Sequence, residues 1–215
     1  MASPSSLGVV IPCHKPYIPL LGQCLDSIEF QTAKPDRVVV VCSSSQPTDI
    51  PTSYAGYSFP LTIITREDIR NQSQNRNEGA ALVGTDYVSF FDADDVMHPQ
   101  RVHYLRAYMP QTDLLLHSYT TEQPIFRAIH APTVYSNELM RGPTGCVVFK
   151  PDWSARIHHA HVTVRVALLK TFAFDEEPPV AGFNEDSLFC GDIVASGART
   201  LYVADPLSWY RLRRE

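Results

Sequence analysis

No stretch of about 18 apolar residues, the length a membrane-spanning helix needs, occurs in the 215-residue sequence, and no apolar leader precedes the first hydrophobic run. The expectation is a chain without a transmembrane segment. Basic residues are in the minority: 18 Lys and Arg face 23 Asp and Glu, a net charge of −5. That balance provides no basic face for a nucleic-acid partner. Lysine itself is scarce, and 14 of the 18 basic residues are Arg, whose planar fork suits phosphate. The five cysteines, Cys13, Cys24, Cys42, Cys146 and Cys190, contain no C-x-x-C pair. Their odd number and wide scatter exclude a zinc or disulfide framework and fit a reducing compartment, with the cytoplasm as the expected location. Internal repeats and low-complexity segments are lacking too. What remains is an ordinary globular composition, 44% hydrophobic and 19% charged, of a size that fits one domain spanning residues 1–215.

The hydrophobic pattern alternates in its first half. Leu7 to Pro12 is a short apolar run that predicts a strand. Leu21, Cys24, Leu25 and Ile28 follow with the spacing of an amphipathic helix. Arg37 to Cys42 carries four consecutive valines, which suit a strand covered on both faces. Leu61 to Thr65 predicts a third strand, Asn71 to Val83 a helix closed by Gly84, and Asp86 to Phe91 a fourth strand. Pro99 suits the first turn of a helix that runs to Pro110. Strand and helix in alternation predict an α/β chain with a mostly parallel central sheet flanked by helices. Ligands of such sheets bind beyond the carboxyl ends of the strands. Pro12-Cys13-His14, Cys42-Ser43-Ser44, Arg66 and Asp92-Ala93-Asp94 all fall at such ends.

The second half is less regular. Strands are expected over Asp113–Ser118, Cys146–Phe149, His161–Val164 and Leu201–Ala204, with a long loop or partly ordered insert from Thr120 to Thr144. A short helix is expected around Val166 to Phe172, and another through Glu185 to Val194, capped by Asn184 and ended by Gly197.

The segment Phe90-Phe91-Asp92-Ala93-Asp94-Asp95 sets three carboxylates where an apolar strand ends. Such a cluster is costly unless something positive meets it. In a strand, residues two apart share a face, so Asp92 and Asp94 are positioned to aim at one cation, which in turn holds a phosphate. His158-His159-Ala160-His161 is the other conspicuous cluster. Alternation sets His159 and His161 on one face, and no carboxylate lies beside them in sequence. A partly buried, cleft-lining role is therefore favoured over metal ligation.

Taken in order, VVIPCHKP, RNEG, FFDADDVMHPQRV, FNEDSLFCGDIVASGART and WYRLR resemble glycosyltransferase family 2, whose members have the GT-A nucleotide-diphospho-sugar fold. The resemblance runs from Leu7 to Arg213. It implies a single GT-A domain with a nucleotide-binding half, residues 1–98, and an acceptor-binding half, residues 99–215. The implied activity is inverting transfer of a sugar from a nucleotide-diphospho-sugar, expected to be a UDP-sugar, to a hydroxyl of a glycan, lipid or protein acceptor. The implied cofactor is Mn²⁺ or Mg²⁺, with Asp94 and Asp92 as its ligands and Asp92 nearer the ribose. Asp95 is expected to cap the following helix or to support the other two. Glu185-Asp186 matches the family's acid pair, with Asp186 as general base. Pro12 and His14 pack on uracil and ribose, Arg76 reaches base or phosphate, and Arg211 or Arg213 meets the diphosphate. Ser43 stands where the family usually has an acid that reads the base, and it offers a hydroxyl instead. The family sometimes adds a C-terminal His to the metal, and no His follows His161. Two alternatives stay open. One is a catalytically inactive module that binds sugar nucleotides. The other is a phosphohydrolase, since Asp92-Ala93-Asp94-Asp95-Val96 also fits the nucleophile motif of haloacid-dehalogenase-like phosphatases.

Overall fold

The computed structural model describes residues 5–177 and 185–212. In chain order the elements are β1 (Leu7–His14), α1 (Ile18–Glu29), β2 (Arg37–Ser43), β3 (Leu61–Thr65), α2 (Gln72–Val83), β4 (Tyr87–Phe90), β5 (Val96–Met97) and α3 (Arg101–Tyr108). There follow β6 (Leu114–Thr120), β7 (Val134–Ser136), β8 (Leu139–Arg141), β9 (Val147–Phe149), β10 (Thr163–Arg165), α4 (Glu185–Ala195) and β11 (Thr200–Trp209).

One sheet runs β3-β2-β1-β4-β10-β6-β11-β5, with β7 also paired to β11. The valine run of β2 explains the middle of this sheet. Val38, Val40 and Cys42 enter one core cluster, while Val39 and Val41 enter the other on the opposite face. All four valines are fully buried, each contributing about 1.5–3 kcal/mol by leaving water. On one face α1 presents Ile18, Leu21, Cys24, Leu25 and Ile28 to the core, the stripe its spacing predicts. On the other face α2 buries Ser73, Asn75, Arg76, Gly79 and Val83, a largely polar inner side. Gly79 lets α2 lie directly on β1, because a Cβ there would stand 2.5 Å from Val10 Cγ1. The start of α2 is set by a reciprocal cap: Asn71 Oδ1 accepts from the Gln74 N–H and Gln74 Oε1 from the Asn71 N–H, each at 3.0 Å. Its end is set by Gly84, whose φ of +65° is left-handed.

Strands β3, β2, β1 and β4 are parallel, as the alternation predicts. The exceptions in this mostly parallel sheet are β10, which is antiparallel to both β4 and β6, and β5 and β7, which are antiparallel to β11. Pro99 does not open a helix. It sits in a turn, and α3 begins at Arg101 after β5 has paired with β11. Of its two expected forms the span 120–144 takes the partly ordered one, since it holds β7 and β8. The last strand is ten residues long, not the four of Leu201–Ala204, and shifts register after Val203 and again after Pro206. The expected cap Asn184 and the cation Arg213 lie outside the described residues. No described helix is long and apolar enough to cross a membrane.

Reversal of β10 has one consequence for the rest of the molecule. The carboxyl ends of β1, β2, β4, β6 and β11 meet at one edge of the sheet. Because β10 runs the other way, its amino end arrives there, and it brings the segment His158–Val162 with it.

Candidate active site

A cleft lies along that edge. Its smaller part, about 360 Å³, is lined by Pro12, His14, Tyr17, Asn75, Asp92 and Asp94, among others. The larger part, about 1210 Å³, is lined by Arg76, Asp92, Asp94, His158, Asp186 and Tyr210, among others. Gln72, Asp92 and Asp94 border both, so the two parts are continuous. Thus the structure brings Pro12, His14, Arg76, Asp92, Asp94, Glu185 and Asp186 to one cleft, although up to 174 positions separate them in sequence.

The three acids lie in a turn, not in a strand. β4 ends at Phe90, and the Asp95 N–H bonds back to the Asp92 carbonyl at 3.3 Å. The turn separates the acids more sharply than strand alternation does. Asp92 and Asp94 face the cleft, whereas Asp95 turns inward and is fully buried. No helix follows Asp95 directly; the chain enters β5, so the capping role expected of this residue is replaced by an internal one.

Arg76 borders the larger part of the cleft, is 1% exposed and bridges two carboxylates 93 positions apart. Its Nη2 donates to Asp92 at 2.9 Å and its Nη1 to Glu185 at 2.8 Å. The guanidinium also lies 5.2 Å from the Phe174 ring centroid. Burial works against its charge, but Asp92, Asp186 and Glu185 together hold its pKa above the ordinary value. Burial pushes the Asp92 carboxyl above the usual range, and Arg76 pulls it back. Glu185 is therefore engaged as the counter-charge of Arg76 at the cleft wall, while its neighbour Asp186 borders the cleft without that ion pair. Asp186 is half-buried in the first turn of α4 and accepts from the Ser187 N–H at 2.7 Å.

At the other end of the cleft, Ser43 is fully buried. Its hydroxyl lies 3.2 Å from His14 Nδ1, accepts from Asn75 Nδ2 at 3.1 Å and donates to the Cys13 carbonyl at 3.4 Å. Ser43 does not line the cleft itself but bonds to His14, Asn75 and Cys13, which do. Arg211 is held on one side, while its Nη2 has no hydrogen-bond partner among the described residues. It donates its backbone N–H to Asp95 Oδ1 at 2.8 Å, its Nε to the Asp94 carbonyl and its Nη1 to Gln23 at 2.6 Å. It clamps the acid turn from behind.

Beneath the turn, Arg101 is fully buried without a carboxylate partner among the described residues. Its Nε donates to His117 Nε2 at 3.0 Å, and its Nη2 to Ser89 Oγ at 2.8 Å and the His161 carbonyl at 3.0 Å. Burial lowers its pKa to about 9. Burial also pushes His117 and His161 well below the ordinary imidazole value, helped by the neighbouring histidines and Arg101. Alternation in the His cluster is not observed. His158 and His161 pack against each other at a tilt of 45° with centroids 3.8 Å apart, while His159 Nε2 turns to the Val147 carbonyl at 3.2 Å. Sequence reasoning missed this pairing, and it also missed Tyr119, Gln72 and Asn75 as cleft residues. Only Tyr210, inside the WYRLR motif, carried a signal.

A model of glycosyl transferase family 2 matches residues 8–168. A curated protein of Haemophilus influenzae, described as an uncharacterized glycosyltransferase, is 30% identical over 97 residues, which cover 44% of this chain and 31% of that one. Among solved structures, S. aureus TarS 1–349 in complex with UDP superposes with a TM-score of 0.71 at 20% identity, over 96% of this chain and 60% of that chain. The same protein in complex with UDP-GlcNAc gives 0.72 at 20% identity, over 98% and 59%. This chain thus spans about three fifths of that solved chain and about a third of the curated relative.

Proposed function

This chain belongs to glycosyl transferase family 2 and has the GT-A fold; from that premise we propose that it transfers a sugar from a UDP-sugar to an acceptor hydroxyl, with inversion and with Asp186 as general base. The observation that carries the proposal is the single cleft bordered by Asp92 and Asp94 on one side and Asp186 on the other. Residues 1–98 hold the nucleotide and residues 99–215 the acceptor. The base and ribose lie in the smaller part of the cleft against Pro12, Tyr17 and His14. The diphosphate lies over Asp92 and Asp94. The carboxylates that line this part of the cleft suit a hard cation such as Mn²⁺ or Mg²⁺, held by Asp94 and Asp92. Such an ion, when bound, neutralises charge on the leaving diphosphate.

The chain's own residues do the rest. Asp186 takes the proton from the acceptor hydroxyl as that oxygen forms its bond to the anomeric carbon. The bond from that carbon to the phosphate oxygen breaks, and its electron pair leaves with the nucleoside diphosphate. Attack opposite the leaving group inverts the centre. Glu185 and Arg76 position Asp186 and Asp92 and touch no substrate. The phosphohydrolase alternative needs Asp92 as a free nucleophile, which its ion pair with Arg76 disfavours. The five cysteines are free thiols, which supports a reducing, cytoplasmic setting.

A thermal-shift screen of nucleoside diphosphates and their sugars with Mn²⁺ or Mg²⁺ tests the reading. At a ligand concentration of 100 Kd, binding adds about 2.7 kcal/mol, or about 5–10 °C in Tm for a domain of this size. The largest shift is expected for uridine compounds in the presence of the cation. If no nucleotide raises Tm with either cation, the reading fails.

A further inference from the structure

A second constellation lies behind the cleft, and Asp92 is the one member it shares with the transfer site. Asp95 Oδ2 stands 2.9 Å from His161 Nε2 and 3.5 Å from His158 Nε2. A carboxylate oxygen of Asp92 completes a set whose members all lie within 4.8 Å of one another. Asp95 and His161 are fully buried and His158 is 9% exposed. Despite these short distances, Asp95 Oδ2 and both Nε2 atoms lack an aligned hydrogen-bond partner among the described residues. A buried polar atom in that condition is costly, so three at one point call for a partner common to all of them.

The outer side of this set is held in place. Asp95 Oδ1 accepts from the Arg211 N–H at 2.8 Å, and His161 Nδ1 lies 2.9 Å from Ser208 Oγ. The Phe91 ring stacks on His161 at 4.1 Å, and Tyr210 packs edge-on against His158 at 4.7 Å. Ligand side chains whose far atoms are fixed in this way are what a metal centre needs. Two imidazoles and a carboxylate form a mixed nitrogen and oxygen donor set. That set suits zinc and its transition-metal neighbours, whereas Mg²⁺ prefers oxygen and retained water.

We propose that Asp95, His158 and His161, with Asp92 at the cleft edge, bind one divalent transition-metal ion of the zinc class, separate from the cation that Asp94 holds at the diphosphate. The ion ties the acid turn after β4 to the segment entering β10. It thereby positions Asp92 between the buried cluster and the cleft. The proposal rests on the geometry of these four side chains and not on the identity of any donor or acceptor.

The chelator-treated 215-residue chain titrated with Co²⁺, a visible-absorbing stand-in for zinc, tests it. One equivalent is expected to bind, with the absorption of nitrogen and oxygen ligation, to be displaced by Zn²⁺ and to resist excess Mg²⁺. Asp94→Ala is expected to keep this signal, and His158→Gln to weaken binding at least about 10-fold. His158 is chosen because it borders the cleft and its replacement opens no sealed cavity; its melting curve serves as the folding control. A wild-type chain that takes up no Co²⁺, as when a water molecule fills the site, overturns the proposal. So does equal affinity in His158→Gln, or loss of the signal in Asp94→Ala. None of these outcomes depends on whether a nucleotide binds, so the transfer reading stands or falls separately.

Discussion

Asp186→Asn is expected to lower turnover by about 10²–10⁴-fold, the usual worth of a positioned general base, while nucleotide binding stays within about twofold. The expectation follows from the division of labour in the acid pair. Glu185 is buried and paired with Arg76, so its carboxylate is held by a counter-charge even though it lines the cleft. Asp186 borders the larger part of the cleft. Asparagine keeps the size of the side chain and the oxygen that accepts from the Ser187 N–H, so the start of α4 is preserved. It removes only the capacity to take a proton. Release of nucleoside diphosphate from the preferred donor measures the first quantity, and calorimetric titration with the nucleotide measures the second. Turnover within threefold of the parent would transfer the base role to another residue.

Arg76→Met is the substitution with the largest expected effect on stability. It leaves Asp92 and Glu185 facing each other in a site where Arg76 itself is 1% exposed. Removing one member of a buried ion cluster costs about 3–5 kcal/mol, mostly because the remaining charges are stranded. For a domain of this size that is a fall in Tm of about 10 °C. The exposed pair of Arg141 and Asp192, 3.1 Å apart with both side chains more than two fifths exposed, is the natural comparison. Arg141→Met should cost no more than about 1 kcal/mol. The double substitution Arg76→Met with Glu185→Gln should recover part of the loss, because one stranded charge is then gone. Urea unfolding of the variants measures these differences. Equal midpoints for Arg76→Met and Arg141→Met would show that Arg76 is not the central tie between the two acid segments.

The way these residues come together was only partly legible in the sequence. β3 runs over Leu61–Thr65 as its apolar run predicts, and α2 ends at Gly84, because both depend on short-range signals: β-branched residues and a left-handed glycine. Arg76 read as a helix cation facing the nucleotide because nothing local reveals partners 16 and 109 positions away. The direction of β10 was not legible either. Three residues are too few for a periodic signal, and their orientation is set by the strands on either side. That one reversal decides which histidines reach the acid turn. Strand spacing paired His159 with His161, whereas the segment ahead of β10 is irregular and pairs His158 with His161 instead. The capping alternative for Asp95 fails for a related reason. The residue precedes a proline that suits a helix start, but the intervening Val96 and Met97 pair with β11, whose own length is disguised by Pro206 and two register shifts.

The central claim is that the turn carrying Asp92 and Asp94 receives the diphosphate through a divalent cation. Calorimetric titration with UDP, with and without Mn²⁺, on the parent chain and on Asp94→Ala tests it most directly. The cation is predicted to tighten UDP binding to the parent chain at least about tenfold, or about 1.4 kcal/mol, and to leave Asp94→Ala unchanged. Binding that ignores the cation, or a cation effect that survives in Asp94→Ala, would contradict the account.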